Sequence, residues 1–220
     1  YIDLSTQAVM EIGALLNNVK VIALRESNAT ATPDSQKSSA VEVDNLKEQI
    51  LNLANTSSGG RYIFAGTRTR TIPFAEDGTY QGDENEIKIQ IGESQTITIN
   101  VPGDDIFKAG KDIFKVLSDL KVALENNDTQ GISSQISEID DCIRQIHRWE
   151  GELGGRGNRI EVFQNRLKDM EIGMTKFLSS IEDADITRMS VELQSAGMAY
   201  QAALAAAQQI LQSTMLQFFK

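Results

Sequence analysis

Apolar residues recur along this chain with two rhythms, one helical and one alternating, and the helical one dominates. From Thr129 onward, Ile132, Ile139, Ile146, Leu153, Ile160, Leu167, Met174 and Ile181 fall seven apart. Ile136, Ile143, Trp149, Phe163, Met170, Phe177 and Ala184 fall between them, giving the three-and-four alternation of a coiled-coil seam. After Asp183-Ala184-Asp185 the seam shifts phase and resumes as Ile186, Met189, Leu193, Ala196, Tyr200, Ala203, Ala207 and Ile210. Gly154, Gly155 and Gly157 interrupt the stretch. A glycine costs a helix roughly 1 kcal/mol relative to alanine, whereas a fully buried seam residue contributes about 1.5–3 kcal/mol. The seven-residue phase passes unbroken from Ile146 through Leu153 to Ile160, which favours one continuous helix over a hairpin turning at Gly154-Gly155. A stripe this long needs partner helices, from this chain or from another copy.

The same spacing predicts a first helix from about Asp3 to Glu26, with Val9, Ile12, Leu16, Val19 and Ala23 on its buried face and Leu15 and Ile22 widening it. Ser27-Asn28-Ala29-Thr30 stops it. Thr32-Pro33 reads as an N-cap followed by proline at the first helical position, and Val43, Leu46, Ile50 and Leu53 carry a second helix to about Ala54. The period then changes. Arg61–Phe64 is a short strand candidate, and Glu86–Ile91 and Thr96–Val101 alternate strictly about a loop at Gly92–Gln95. Two strands alone are marginal in water, so this hairpin must pack on Phe74, Tyr80 or the end of the helices. Helix returns with Ile113, Val116, Leu117, Leu120 and Leu124, and Asn126-Asn127-Asp128 turns it into the long seam.

These elements predict a mainly α chain with a small β insertion: an elongated, antiparallel, coiled-coil-like bundle with a β-rich tip. Residues 1–64 form the outgoing arm, 65–110 the insertion, and 111–220 the return helices, including a C-terminal assembly helix. Tyr1 opens the chain in mid-pattern, which predicts a natural N-terminus further upstream.

Charge and chemistry narrow the function classes. A formal charge of −10 argues against a nucleic-acid backbone as partner. No apolar run is expected to approach membrane-spanning length, and no signal-peptide pattern opens the chain. The lone Cys142 excludes an intrachain disulfide framework. His147, the only histidine, lies roughly 140° around a helix from Cys142, so the two share no metal-binding face. Asp140-Asp141 and the acidic run from Glu182 to Asp185 lack EF-hand spacing. The second run marks a joint or a plain solvated surface. Gly154-Gly155-Arg156-Gly157 follows no strand and is no phosphate loop. The chain therefore offers no catalytic, cofactor or metal constellation and is not expected to be an enzyme. Its one basic cluster, Arg61, Arg68 and Arg70 beside Tyr62 and Phe64, reads either as an uninvolved loop or as salt-bridging to an acidic neighbour subunit.

The wording at the junction between arm and insertion narrows the reading further. Leu53-Ala54-Asn55-Thr56 runs into Gly60-Arg61-Tyr62-Ile63-Phe64-Ala65-Gly66-Thr67, then Pro73-Phe74, Tyr80-Gln81-Gly82-Asp83, Ile91-Gly92-Glu93 and Val101-Pro102-Gly103-Asp104. On the return arm stand Gly157-Asn158-Arg159-Ile160-Glu161 and Glu182-Asp183-Ala184-Asp185. These stretches resemble the flagellin superfamily, nearer to its hook-associated members than to filament subunits. The resemblance implies a structural subunit exported without a cleaved signal peptide to the extracellular flagellum. There it would form a ring with copies of itself, between another hook-associated protein and flagellin. It also implies an export chaperone on the C-terminal helix and an apolar assembly stripe at Leu193, Tyr200, Leu204, Leu211 and Met215. The alternatives are a flagellin-type filament subunit or a generic coiled-coil adaptor.

Overall fold

The computed structural model describes residues 1–28, 31–92, 95–182 and 186–218, with the side chains of 182, 187 and 212–218 left aside. The chain divides into two compact units, Tyr1–Gln164 and Asn165–Lys220.

The first unit is built on four helices: α1 (Ile2–Glu26), α2 (Pro33–Ala54), α4 (Ile113–Glu125) and the first part of α5 (Thr129–Glu182). A short α3 (Gly103–Phe107) precedes α4. Contacts fix the directions. Along α1, a Cβ added to Gly13 would meet Ile146, Lys20 pairs with Asp140 at 2.6 Å, and Ile2 lies across from Gly157, so α1 and α5 run antiparallel. Lys111 at the start of α4 pairs with Glu138, and Ala123 near its end neighbours Gly131, so α4 and α5 are antiparallel too. α2 packs on both α1 and α4 and joins α4 through Lys121 and Asp44 at 2.7 Å. The predicted seam residues Val9, Ile12, Leu16, Val19 and Ala23 of α1, Val43 and Ile50 of α2, Leu117, Leu120 and Leu124 of α4, and Ile132, Ile139, Ile146 and Leu153 of α5 form one buried core.

The helix ends follow their sequences. The Thr32 side chain accepts from the Ser35 N–H at 3.2 Å, capping α2 with Pro33 in its first turn. Asp112 caps α4 in the same way, accepting from Lys115 N–H at 3.0 Å. Asn127 takes a left-handed φ of 57° in the expected turn before α5. The long helix runs through Gly154, Gly155 and Gly157 without a break, as the unbroken phase predicts.

Two expectations need correction. Over its most apolar window α1 reaches a mean hydropathy of 1.2, so by length and composition it could cross a membrane. The apolar side chains responsible, among them Val9, Ile12, Leu16 and Val19, are the core of the bundle. The strands are also shorter than the alternation suggests. β1 (Ser57–Ser58) pairs with β2 (Arg61–Tyr62) across Gly59 and Gly60, whose φ values of 58° and 74° make a tight two-residue turn. Beyond Tyr62, Ile63 and Phe64 leave the strand and enter the core. β3 (Lys88–Gln90) pairs with β4 (Thr96–Thr98) in antiparallel register, Ile89 opposite Ile97. Its ladder gives way to a side chain at Asn100, whose Oδ1 accepts from Ile87 N–H at 2.6 Å and whose Nδ2 donates to the Asn85 carbonyl at 3.1 Å. Part of the expected loop, residues 93–94, lies outside the described residues. The hairpin is tied to α5 by Arg156, which donates to the Asn100 carbonyl at 3.1 Å.

In the second unit, α5 continues to Glu182 and α6 covers Ile186–Phe218. The acidic joint expected at Asp183-Ala184-Asp185 lies outside the described residues.

Candidate interaction surfaces

The motifs at the arm–insertion junction converge on one knot of backbone bonds and aromatic rings. Asn55 at the end of α2 reads the backbone of Phe74 twice, donating to its carbonyl and accepting from its N–H, each at 2.9 Å. The Phe64 carbonyl accepts from Gly103 N–H at 2.8 Å and lies 3.0 Å from the Tyr80 hydroxyl. That hydroxyl also stands 2.8 Å from the Asp83 carbonyl. Burial pushes the Tyr80 phenol up to about 12. Asp83 accepts from Thr67 through its backbone N–H at 2.7 Å and its hydroxyl at 2.5 Å. Burial works against ionisation there, but the bonds from Thr67 and Asn85 outweigh it and hold the Asp83 carboxyl below its usual range. Phe74 sits at the centre, its ring 5.1 Å from Tyr80, 5.1 Å from Phe107 and 5.2 Å from Phe114. The stretches around Asn55, Phe64–Thr67, Phe74, Tyr80–Asp83 and Gly103 thus meet in three dimensions, and their task is structural: they fasten residues 55–83 to α3 and the start of α4.

A second polar latch sits on α5. The Gln145 side chain is buried; its Nε2 donates to the Ile106 carbonyl at 2.8 Å and its Oε1 accepts from Lys111 N–H at 2.8 Å. One turn on, the Trp149 indole donates to the Asp105 carbonyl at 3.0 Å. At the α1–α2 turn, Glu26 is fully buried and accepts from Arg25 at 2.8 Å, Ser39 at 2.9 Å and Ser35 at 3.0 Å. Burial opposes its ionisation, but these donors prevail and lower its pKa. The pattern reading misses both devices, because Gln145 and Glu26 occupy helical positions that periodicity alone assigns no partner.

The residues singled out from sequence separate by unit. In the first, Cys142 is buried, its thiol raised to about 12 by burial, and His147 is an exposed side chain 3.0 Å from Glu150. Among the described residues no group of His, Cys, Asp or Glu is placed to hold a metal. Arg61 in β2 and Arg68 and Arg70 on the turn that follows it are all exposed. Arg68 leans toward Asp83 at 3.9 Å. In the second unit, Leu193 is 76% exposed, Tyr200 67%, Leu204 47% and Leu211 64%; the side chain of Met215 lies outside the described residues. Met170, Met174 and Phe177 of α5 are exposed as well, so the seam that is core up to Leu153 becomes solvent-facing further along.

Residues 136–219 match the family described as the bacterial flagellin C-terminal helical region. The chain is also similar to proteins named for the flagellar hook and junction. The chain is 27% identical to flagellar hook-associated protein 3 of Escherichia coli (strain K12), across 84% of this chain and 66% of that relative. Among solved structures, FlgL of Xanthomonas campestris superposes with a TM-score of 0.73 at 17% identity, covering 81% of this chain and 93% of that one. The flagellar junction protein FlgL from Legionella pneumophila gives 0.68 at 16% identity, covering 79% and 90%. The resemblance read from the junction motifs, down to flagellar hook-associated protein 3, is borne out. The fold is mainly helical with small antiparallel strand pairs. The chain spans 66% of the length of the curated relatives it matches.

Proposed function

We propose that this chain is a structural subunit of the bacterial flagellum, acting at the junction between hook and filament, outside the cell. The observation that carries the reading is the likeness to flagellar hook-associated protein 3 in a chain whose C-terminal helix exposes a long apolar stripe. Four large side chains at Leu193, Tyr200, Leu204 and Leu211 stand in water, each able to contribute about 1.5–3 kcal/mol once covered. Monomeric proteins rarely leave such a stripe uncovered, and an assembling subunit requires one. In this reading residues 1–64 and 111–220 are the two arms of an elongated coiled-coil bundle and 65–110 is its β tip. Copies of the chain pack side by side in a ring, flanked by another hook-associated protein and by flagellin. Before assembly the same stripe is covered by an export chaperone. The chain needs no cofactor and performs no catalysis.

Deleting the gene tests the reading directly: cells are expected to lose their filaments or to shed flagellin into the medium, and normal filaments would end the junction assignment. The double substitution Leu204→Asp with Leu211→Asp is expected to abolish co-purification of the chaperone; unchanged binding would place the chaperone elsewhere.

A further inference from the structure

The unit Tyr1–Gln164 carries an open groove of about 1020 Å³ bounded by α1, α5 and the β3–β4 hairpin. Ile2, Ile89, Ile99 and Leu153 line it, and the charged side chains at its edge are Asp3, Glu11 and Glu161, with no lysine or arginine among them. The same unit carries a patch of opposite character. Tyr62 N–H donates to the Thr69 carbonyl at 2.7 Å, which lays Arg61 and Arg70 on adjacent stretches of backbone. Thr71 N–H closes back on the Arg68 carbonyl at 2.8 Å, making the segment a firm turn. Arg68 has only its long contact with Asp83, and Arg61 and Arg70 form no ion pair among the described residues. Ile72, next to them, is 49% exposed.

We propose that the groove receives the Arg61–Ile72 turn of a second copy of this chain, Ile72 resting on the apolar floor and the arginines facing Glu11 and Glu161. Charge complementarity selects this occupant. A chain of formal charge −10 repels its own copies over most of its surface. The contact that draws two copies together sets an exposed arginine cluster against an acidic rim, which favours encounter and fixes register. Because groove and turn are different surfaces, each copy offers one of each. The contact is heterologous and adds copies head to tail rather than stopping at two. The proposal rests on the assembly reading above and names a surface of the first unit for it, separate from the stripe on α6.

Two variants of the full chain test it: Arg61→Glu with Arg70→Glu, which keeps the groove, and Glu11→Lys with Glu161→Lys, which keeps the turn. All four positions are exposed, and both variants should retain the native circular dichroism spectrum and melting temperature. By sedimentation velocity the native chain is expected to self-associate, and more weakly as salt rises from about 0.05 M to about 0.5 M. Each variant alone should lose at least tenfold in this salt-sensitive association, and mixing the two should restore it, because the turn of each variant then faces a groove of opposite charge on the other. Association that is salt-independent, unchanged in the variants, or not restored by mixing would overturn the proposal and mean that something other than this turn fills the groove. A second measurement uses the inaccessibility of Cys142. Arg70→Cys and Glu161→Cys chains, mixed under oxidising conditions, should crosslink at least tenfold faster than either alone or than a pair carrying the exposed Lys37→Cys; equal rates would overturn the proposal as well. These outcomes are separable from the assembly reading, since association through the apolar stripe survives high salt and is removed by Leu204→Asp with Leu211→Asp.

Discussion

Asn55 and Glu26 are single side chains on which a turn depends. Asn55 satisfies both backbone groups of Phe74, and Asn55→Ala leaves that N–H and carbonyl unpaired beside a buried aromatic cluster. The cost expected for such a loss is about 1–3 kcal/mol, measurable as a drop in the urea midpoint with an unchanged slope. Glu26 predicts a pH dependence. Its folded pKa is lowered from an ordinary 4.5, so the stability it contributes is complete above that value and is lost as pH falls through the lower folded one. Glu26→Gln is therefore expected to lower stability at neutral pH and to flatten its decline between pH 4.5 and the folded pKa, as read by urea titrations along a pH series. Asp83, held below its usual range by Thr67 and Asn85, adds a similar but more exposed contribution.

Among the elements, helices were legible from the sequence and strands were not, for a physical reason. Helix faces in this chain are set by a few apolar residues at fixed spacing, and Val9 to Ala23 or Ile132 to Leu153 leave no doubt which side is buried. The β segments are governed by local substitutions of side chain for backbone. Asn100 takes over the ladder bonds where Ile99 and Val101 continue the alternation, and Gly59-Gly60 creates a hairpin from two serines that alternation does not mark. The knot was half legible: its residues stand out as motifs, but that Asn55 grips Phe74 and Tyr80 reaches Phe64 follows only from tertiary contacts. Gly155 of α5 and Gly78 of the insertion separate by role. An added Cβ at Gly155 meets nothing within 4 Å, so Gly155→Ala is expected to stabilise by about 1 kcal/mol. Gly78 has φ 82°, and its added Cβ would lie 2.6 Å from Phe114, so Gly78→Ala is expected to lower the melting temperature. Opposite shifts in two thermal melts check both.

For the whole molecule, the division of the seam matters most. Ile132 through Leu153 is core within the first unit, while Leu167, Met170, Met174 and Phe177 are exposed in the second. One seven-residue rhythm therefore serves two purposes, intramolecular folding and, in the proposed reading, contact between copies. Mutations in the two halves should separate accordingly. Ile146→Ala is expected to cost about 2–5 kcal/mol in urea denaturation, whereas Met174→Ala should leave folding stability within about 0.5 kcal/mol of native and alter only the concentration dependence of light scattering.

The single sulfhydryl offers a practical return. Cys142 is fully enclosed and its proton is held to about 12, so a thiol-reactive dye finds nothing to attack while the bundle is closed. The rate at which native protein takes up such a dye then times how often the first unit opens, giving this chain a built-in clock for its own unfolding.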